Sequence, residues 1–129
     1  MAHQFRKHYT REQARALLPE VRQWLESLAR SRKHIARLDL RLSQSFARGC
    51  DVGGDLANEW IRVFCTMKKQ LQEFHQREIQ VKDLDRGIVD FPALMGGREV
   101  FLCWEKDEDD IEFWHDLDAG FGGRERLQE

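Results

Sequence analysis

The side chains with the widest chemical repertoire gather late in the chain: Cys103, His115 and the carboxylates Asp83, Asp85, Asp90, Asp116 and Asp118. A Cys103–His115 dyad would be a nucleophile if the imidazole lay within hydrogen-bond reach of the thiol. Imidazole with carboxylates suits zinc or manganese instead. His115 with Asp83, Asp85 and Asp116 is the set that would hold a divalent metal, and it makes a metal-dependent enzyme the alternative reading. No His-Glu-x-x-His spacing accompanies it. Asp83-x-Asp85-x-Gly87 departs from a calcium loop because Leu94 stands where the bidentate glutamate belongs. All four serines lie in the first helical stretch, and no Gly-x-Ser-x-Gly elbow exists. Gly120-Phe-Gly-Gly-Arg124 could turn backbone N–H groups toward an anion with Arg124 as a clamp, but it lacks both phosphate-loop patterns, and a chain exit is the plainer reading.

Strands must position these groups. Gln80–Asp83 and Ile88–Pro92 read as a hairpin around Asp85-Arg86-Gly87. After the Gly96-Gly97 turn, Glu99–Glu105 and Ile111–Asp116 read as two more strands, joined by an acidic, solvated loop from Lys106 to Asp110. Pairing Val100, Leu102 and Trp104 with His115, Phe113 and Ile111 makes one apolar face carrying a single histidine. Cys103 then points the other way, beside Phe101, Glu105 and Trp114, and the dyad fails on register. A site around this sheet would take its polar contacts from His115 and Asp90, its walls from Trp104 and Trp114, and an anion partner from Arg124. Arg124 could also hold the tail against the sheet by stacking and pairing.

The sheet in turn needs a support. Thr10 with Gln13 three residues on is a capping-box start. Val21, Leu28, Ile35 and Leu42 form a heptad stripe flanked by Leu17, Trp24 and Leu38, and Leu18, Leu25 and Phe46 widen it. Pro19 predicts a kink or a fresh helix start. A glycine-punctuated loop leads to a second helix from about Asp55, a natural N-cap, to about Glu78, with Leu56, Trp60, Val63, Phe64, Met67, Leu71 and Phe74 on one side. Two long helices with so short a loop are antiparallel neighbours, and Trp24 and Trp60 on their stripes read as core or helix–helix contacts. His3, His8 and His34 have no acidic or thiol company at helical spacing. The expected architecture is α+β in one domain: a helical hairpin (10–78), a small antiparallel sheet packed on it (79–118) and a tail (119–129).

Composition bounds the rest. The chain has 129 residues, 41% hydrophobic and 34% charged, which excludes disorder, and no apolar run is long enough to span a membrane. No secretory signal is visible, and three cysteines without a paired framework fit a reducing cytosol. Residues 1–48 hold eleven Lys or Arg against four Asp or Glu, whereas residues 49–129 hold ten against nineteen. The halves are expected to attract each other. Arg30, Lys33, Arg37, Arg41 and Arg48 form a basic ridge along the first helix, open to an acidic protein partner. Without aromatic interleaving, and with a net charge of −2, it argues against a dedicated nucleic-acid binder and leaves only weak binding as a second alternative.

Val81-Lys-Asp-Leu-Asp-Arg-Gly-Ile-Val-Asp-Phe-Pro92, Val100-Phe-Leu-Cys-Trp104, Phe113-Trp-His115 and Gly120-Phe-Gly-Gly-Arg124, with Leu17-Leu-Pro-Glu-Val21 earlier, resemble the bacterial domain-of-unknown-function family number 2203. The resemblance covers nearly the whole chain and implies a small cytosolic bacterial protein with no established activity. Its marked positions correspond to Lys82, Asp83, Gly87, Asp90, Phe91, Pro92, Trp104, Trp114, His115, Gly120, Phe121 and Arg124. The turn before Ile111 departs from the pattern, reading Lys-Asp-Glu-Asp-Asp where relatives often carry glycine. The resulting expectation is a non-catalytic interaction or small-ligand-binding module, homodimeric because the hairpin lacks internal surface to bury its wide stripes, with no cofactor. A divalent metal belongs only to the enzyme alternative.

Overall fold

The computed structural model describes residues 3–49 and 54–128. Helix α1 spans Arg11–Ala47 and α2 spans Gly54–His75. Five strands follow: β1 (Gln80–Asp83), β2 (Ile88–Met95), β3 (Arg98–Glu105), β4 (Phe113–Asp116) and β5 (Glu125–Arg126). They form one antiparallel meander in chain order. The chain is an α+β fold, a helical hairpin followed by a sheet.

Both halves of the capping box are made: the Thr10 hydroxyl accepts from the Gln13 N–H, and the Gln13 side chain accepts from the Thr10 N–H. α1 runs on through Pro19 without a fresh start. Pro19 is exposed, so water can satisfy the carbonyl one turn back that lost its donor. Asp55 lies inside the first turn of α2 rather than capping it; Cys50, one of the three cysteines, and Gly53, one of the glycines that punctuate the loop, lie outside the described residues. Gly96 and Gly97 both take positive φ, 59° and 80°, as a tight primed hairpin turn requires. Pro92 is tolerated inside β2 because β1 reaches only as far as Asp90, so no donor is missed on that edge. Its carbonyl accepts from the Tyr9 N–H at 2.7 Å, which ties the N-terminal segment to the sheet.

The core lies between the lower hairpin and one sheet face. Ala14, Leu18, Val21, Leu25 and Leu28 of α1 and Phe74 of α2 pack with Val89, Phe91, Val100, Leu102, Trp104 and Ile111. Trp104 is fully buried, its indole N–H donating to the Glu108 carbonyl. Trp24 meets Phe74 edge-on, and Trp60 reaches across the hairpin to Asp39 at 2.8 Å.

The charged halves do meet, through Arg11 and Arg15 on Asp110 and Arg32 on Asp85. The acidic loop is therefore not simply solvated: Asp110 is paired, and Glu108 accepts from the Glu105 N–H and from Arg124. Nor is the tail irregular. A 3-10 turn at Phe121–Gly123 and β5 close the sheet, with the Leu127 N–H bonded to the Glu112 carbonyl.

Candidate functional site

β3 is buried on both sides. Val100 to Trp104 are five consecutive buried residues, flanked by β2 and β4. Its register with β4 sets Phe101 opposite His115, Leu102 opposite Trp114 and Cys103 opposite Phe113, while Asp90 of β2 lies opposite Cys103. This corrects the expected register by one residue. His115 shares a face with Phe101, Cys103 and Asp90, and Trp114 turns toward the helix side. The cause is visible in the segment before β4: Ile111 is buried in the helix-facing core, but regular strand begins only at Phe113. Alternation therefore does not carry from Ile111 to Phe113. With apolar residues on both faces of β3, burial pattern alone could not choose the register.

Asp90, Cys103 and His115 are 1%, 0% and 2% exposed, and their donor atoms all lie within 4.8 Å of one another. His115 Nδ1 bonds the Asp116 carbonyl at 2.8 Å and Nε2 bonds Asp90 Oδ2 at 3.0 Å. A carbonyl only accepts, so Nδ1 carries a hydrogen. One proton is then shared between Nε2 and Oδ2, and the pair is neutral as a unit. Burial pushes the Asp90 carboxyl above its ordinary range, against the opposing pull of His115 and the Cys103 thiol. Burial, followed by the Asp90 charge, pushes the Cys103 thiol far up. Both ring nitrogens of His115 are engaged, by the Asp116 carbonyl and by Asp90, so in this arrangement neither is free to take a proton from the Cys103 thiol. Asp90 Oδ1 has no hydrogen-bond partner among the described residues.

The outer rim is aromatic and basic. Phe5 meets Phe101 edge-on, and Lys82 lies over the Phe101 ring. Arg124 is held between Phe113 and Phe121, at 4.1 and 3.9 Å from the ring centroids, and pairs with Glu108 at 2.8 Å. It ties the tail to the sheet by stacking and pairing as expected, on other partners. Its anion is an internal carboxylate.

The other expected groupings come apart. The sheet puts Trp104 and Trp114 on the opposite face from Asp90 and His115, so these four with Arg124 do not line one cavity. The metal set of His115, Asp83, Asp85 and Asp116 is also dispersed: Asp83 accepts from the Arg86 N–H, Asp85 pairs with Arg32, and the Asp116 carboxylate pairs with Arg98. The ridge residues Arg30, Lys33, Arg37, Arg41 and Arg48 are all exposed. A cleft between α1 and the turns of the sheet is lined by Leu25, Ala29 and Leu84 with Arg22, Glu26, Lys106 and Asp107, none of which the sequence singled out as a pocket.

A second histidine–carboxylate group escaped sequence reasoning. Glu99 accepts from His8 at 2.8 Å and from the backbone N–H groups of Gln4 and Phe5, with His3 at 3.9 Å. Desolvation opposes the charge, but these donors prevail and hold the Glu99 carboxyl down at about 2. Over ninety residues separate His8 from Glu99, and no local spacing could have signalled the contact.

A family model described as "Uncharacterized conserved protein (DUF2203)" matches residues 7–127. No curated protein and no solved structure matches the chain.

Proposed function

The chain belongs to the DUF2203 family of uncharacterized conserved proteins, and from that premise we propose that it works as a non-catalytic interaction module, pairing with a second copy of itself along one flank of the hairpin. The observation that carries this is α2, which buries only Phe74 in 22 residues. Leu56, Trp60, Val63, Met67 and Phe74 form the stripe toward α1. Beside it, Ile61, Phe64 and Leu71 form a second apolar stripe, 53%, 43% and 44% exposed. Trp60 stacks on Phe64 and bonds Asp39, which marks this flank, and Phe46, seven residues beyond Asp39 and 70% exposed, extends it onto α1. The basic ridge runs along the other flank, beside His34. An apolar stripe is self-complementary, as an isologous interface between identical chains requires, and exposed apolar side chains in such a row favour a partner over water. The ridge then remains open to an acidic partner, in keeping with a protein that acts by assembly. No described helix is long and apolar enough to cross a membrane, and the reading places the module in the cytosol.

Sedimentation equilibrium across a concentration series tests it. The expected mass is twice that of the chain, and Phe64→Glu with Leu71→Glu gives monomer with an unchanged helical circular-dichroism spectrum. Arg37→Glu with Arg41→Glu, on the other flank, leaves the dimer intact. A monomer at every concentration would overturn the reading.

A further inference from the structure

The buried cluster on the outer sheet face has a use that neither the hairpin nor the family name suggests. We propose that Asp90, Cys103 and His115 form a closed binding site for a divalent metal ion of the zinc type. Four observations carry it. Three chemically different donors, a carboxylate, a sulfur and an imidazole, come from three adjacent strands, β2, β3 and β4, and bring their donor atoms within 4.8 Å of one another. Strands hold such donors more rigidly than loops do. The Nδ1–H of His115 is fixed on the Asp116 carbonyl, the outer contact that metal-binding histidines commonly make, and it aims Nε2 at the cluster. Asp90 Oδ1 is buried without a partner among the described residues, a cost that a cation would relieve. Finally, the charges close. The metal displaces two protons, one from the Cys103 thiol and the one shared by His115 and Asp90, leaving a dication with a thiolate, a carboxylate and a neutral imidazole. That assembly is uncharged, as a site under 3% exposed must nearly be.

Sulfur with nitrogen and oxygen selects zinc over magnesium or calcium, which take oxygen alone. Three protein side chains fill three positions of a tetrahedron, and Oδ1 of Asp90, on the carboxylate that already supplies Oδ2, can chelate the same ion as a further contact. Burial excludes the open, solvent-filled position that hydrolytic zinc enzymes keep, so the site is structural: it ties the three central strands together. The partly buried group of His3, His8 and Glu99 is the competing location. There, a metal would have to displace two backbone N–H groups as well as His8 from Glu99, whereas at the buried cluster it replaces only the His115–Asp90 bond.

The test is cobalt substitution of the whole chain after dialysis against a chelator. Cobalt(II) is expected to bind at one per chain with an intense near-ultraviolet thiolate-to-metal band, and zinc is expected to displace it and raise the unfolding temperature. Cys103→Ser, nearly isosteric, should lose the band. Asp90→Asn should keep a weakened band with affinity down by at least about tenfold. Cys65→Ser and the paired His3→Gln, His8→Gln variant should bind as the parent does. Absence of a band in the parent, survival of the band in Cys103→Ser, or its loss in Cys65→Ser or in the His3, His8 variant would each overturn the assignment.

Discussion

The molecule contains the same pair, an imidazole on a carboxylate, in environments that give it opposite characters. His115 and Asp90 meet at 3.0 Å with side chains 2% and 1% exposed; His8 and Glu99 meet at 2.8 Å, 17% and 9% exposed. Distance does not separate them. What differs is the remainder of each carboxylate's shell. Glu99 also receives two backbone N–H groups, which favour its charged form and hold it down at about 2. Asp90 has one oxygen on His115 and the other without a partner among the described residues, and burial raises it. A third pair, His34 with Glu59, also at 3.0 Å, is over a third exposed on both sides. The lesson is that contact geometry says little about an ion pair until every lone pair and the surrounding dielectric are accounted for.

Removing one partner is the most forceful way to break this comparison. In metal-free protein, His115→Leu strands the Asp90 carboxyl in the sheet and is expected to cost about 3 kcal/mol in urea unfolding, with Asp90→Leu added on the same chain restoring most of it. Equal losses in the single and double variants would show that packing, not the unpaired carboxyl, sets the cost.

The Glu99 group should reveal itself through pH. Its native carboxyl holds a proton less tightly than the unfolded chain does, so its contribution is complete above an ordinary glutamate value near 4.5 and is lost as pH falls toward about 2. Asp90 has the opposite sign: its raised native value favours the folded state at low pH and loses that contribution as pH rises through it. Urea midpoints from pH 5 to 2 should therefore fall less steeply in Glu99→Gln than in the parent. An unchanged slope would mean that the N-terminal segment is already detached in that range.

The smallest effect is expected at the most exposed pair. Glu59→Gln should alter stability by less than about 0.5 kcal/mol, within the usual range for solvated ion pairs. A loss comparable with that of His115→Leu would end the ordering by burial.

Much of this arrangement is local and was legible without coordinates. The Thr10–Gln13 capping box, the apolar steps of α1 and α2, and the Gly96-Gly97 turn each act over a few residues, where hydrogen-bond reach and helical or pleated period leave few alternatives. The hairpin and the antiparallel strands followed from them, as did Trp24 and Trp60 as contacts within the hairpin. The site was harder to read. Asp90, Trp104, Trp114, His115 and Arg124 all lie in or beside the sheet, but which of them face one another turns on a single-residue register. The irregular run before Phe113 breaks the alternation that would have set it, and β3, apolar on both faces, has no polar side to correct the error. The register that the apolar face suggests sets Cys103 apart from His115, and no local spacing marks Glu99 as a site residue.

The sequence by itself determined the rods, the first four of the five strands and the family, because periodicity, capping and turn chemistry are properties of neighbouring residues; β5 and the turn before it, in the expected tail, were not among them. Only the tertiary structure decided that Asp90, Cys103 and His115 converge, that Arg124 is neutralised by Glu108, and that one flank of the hairpin stays apolar in the folded chain. Those outcomes depend on strand register and on burial by segments tens of residues away, and no short-range pattern encodes either.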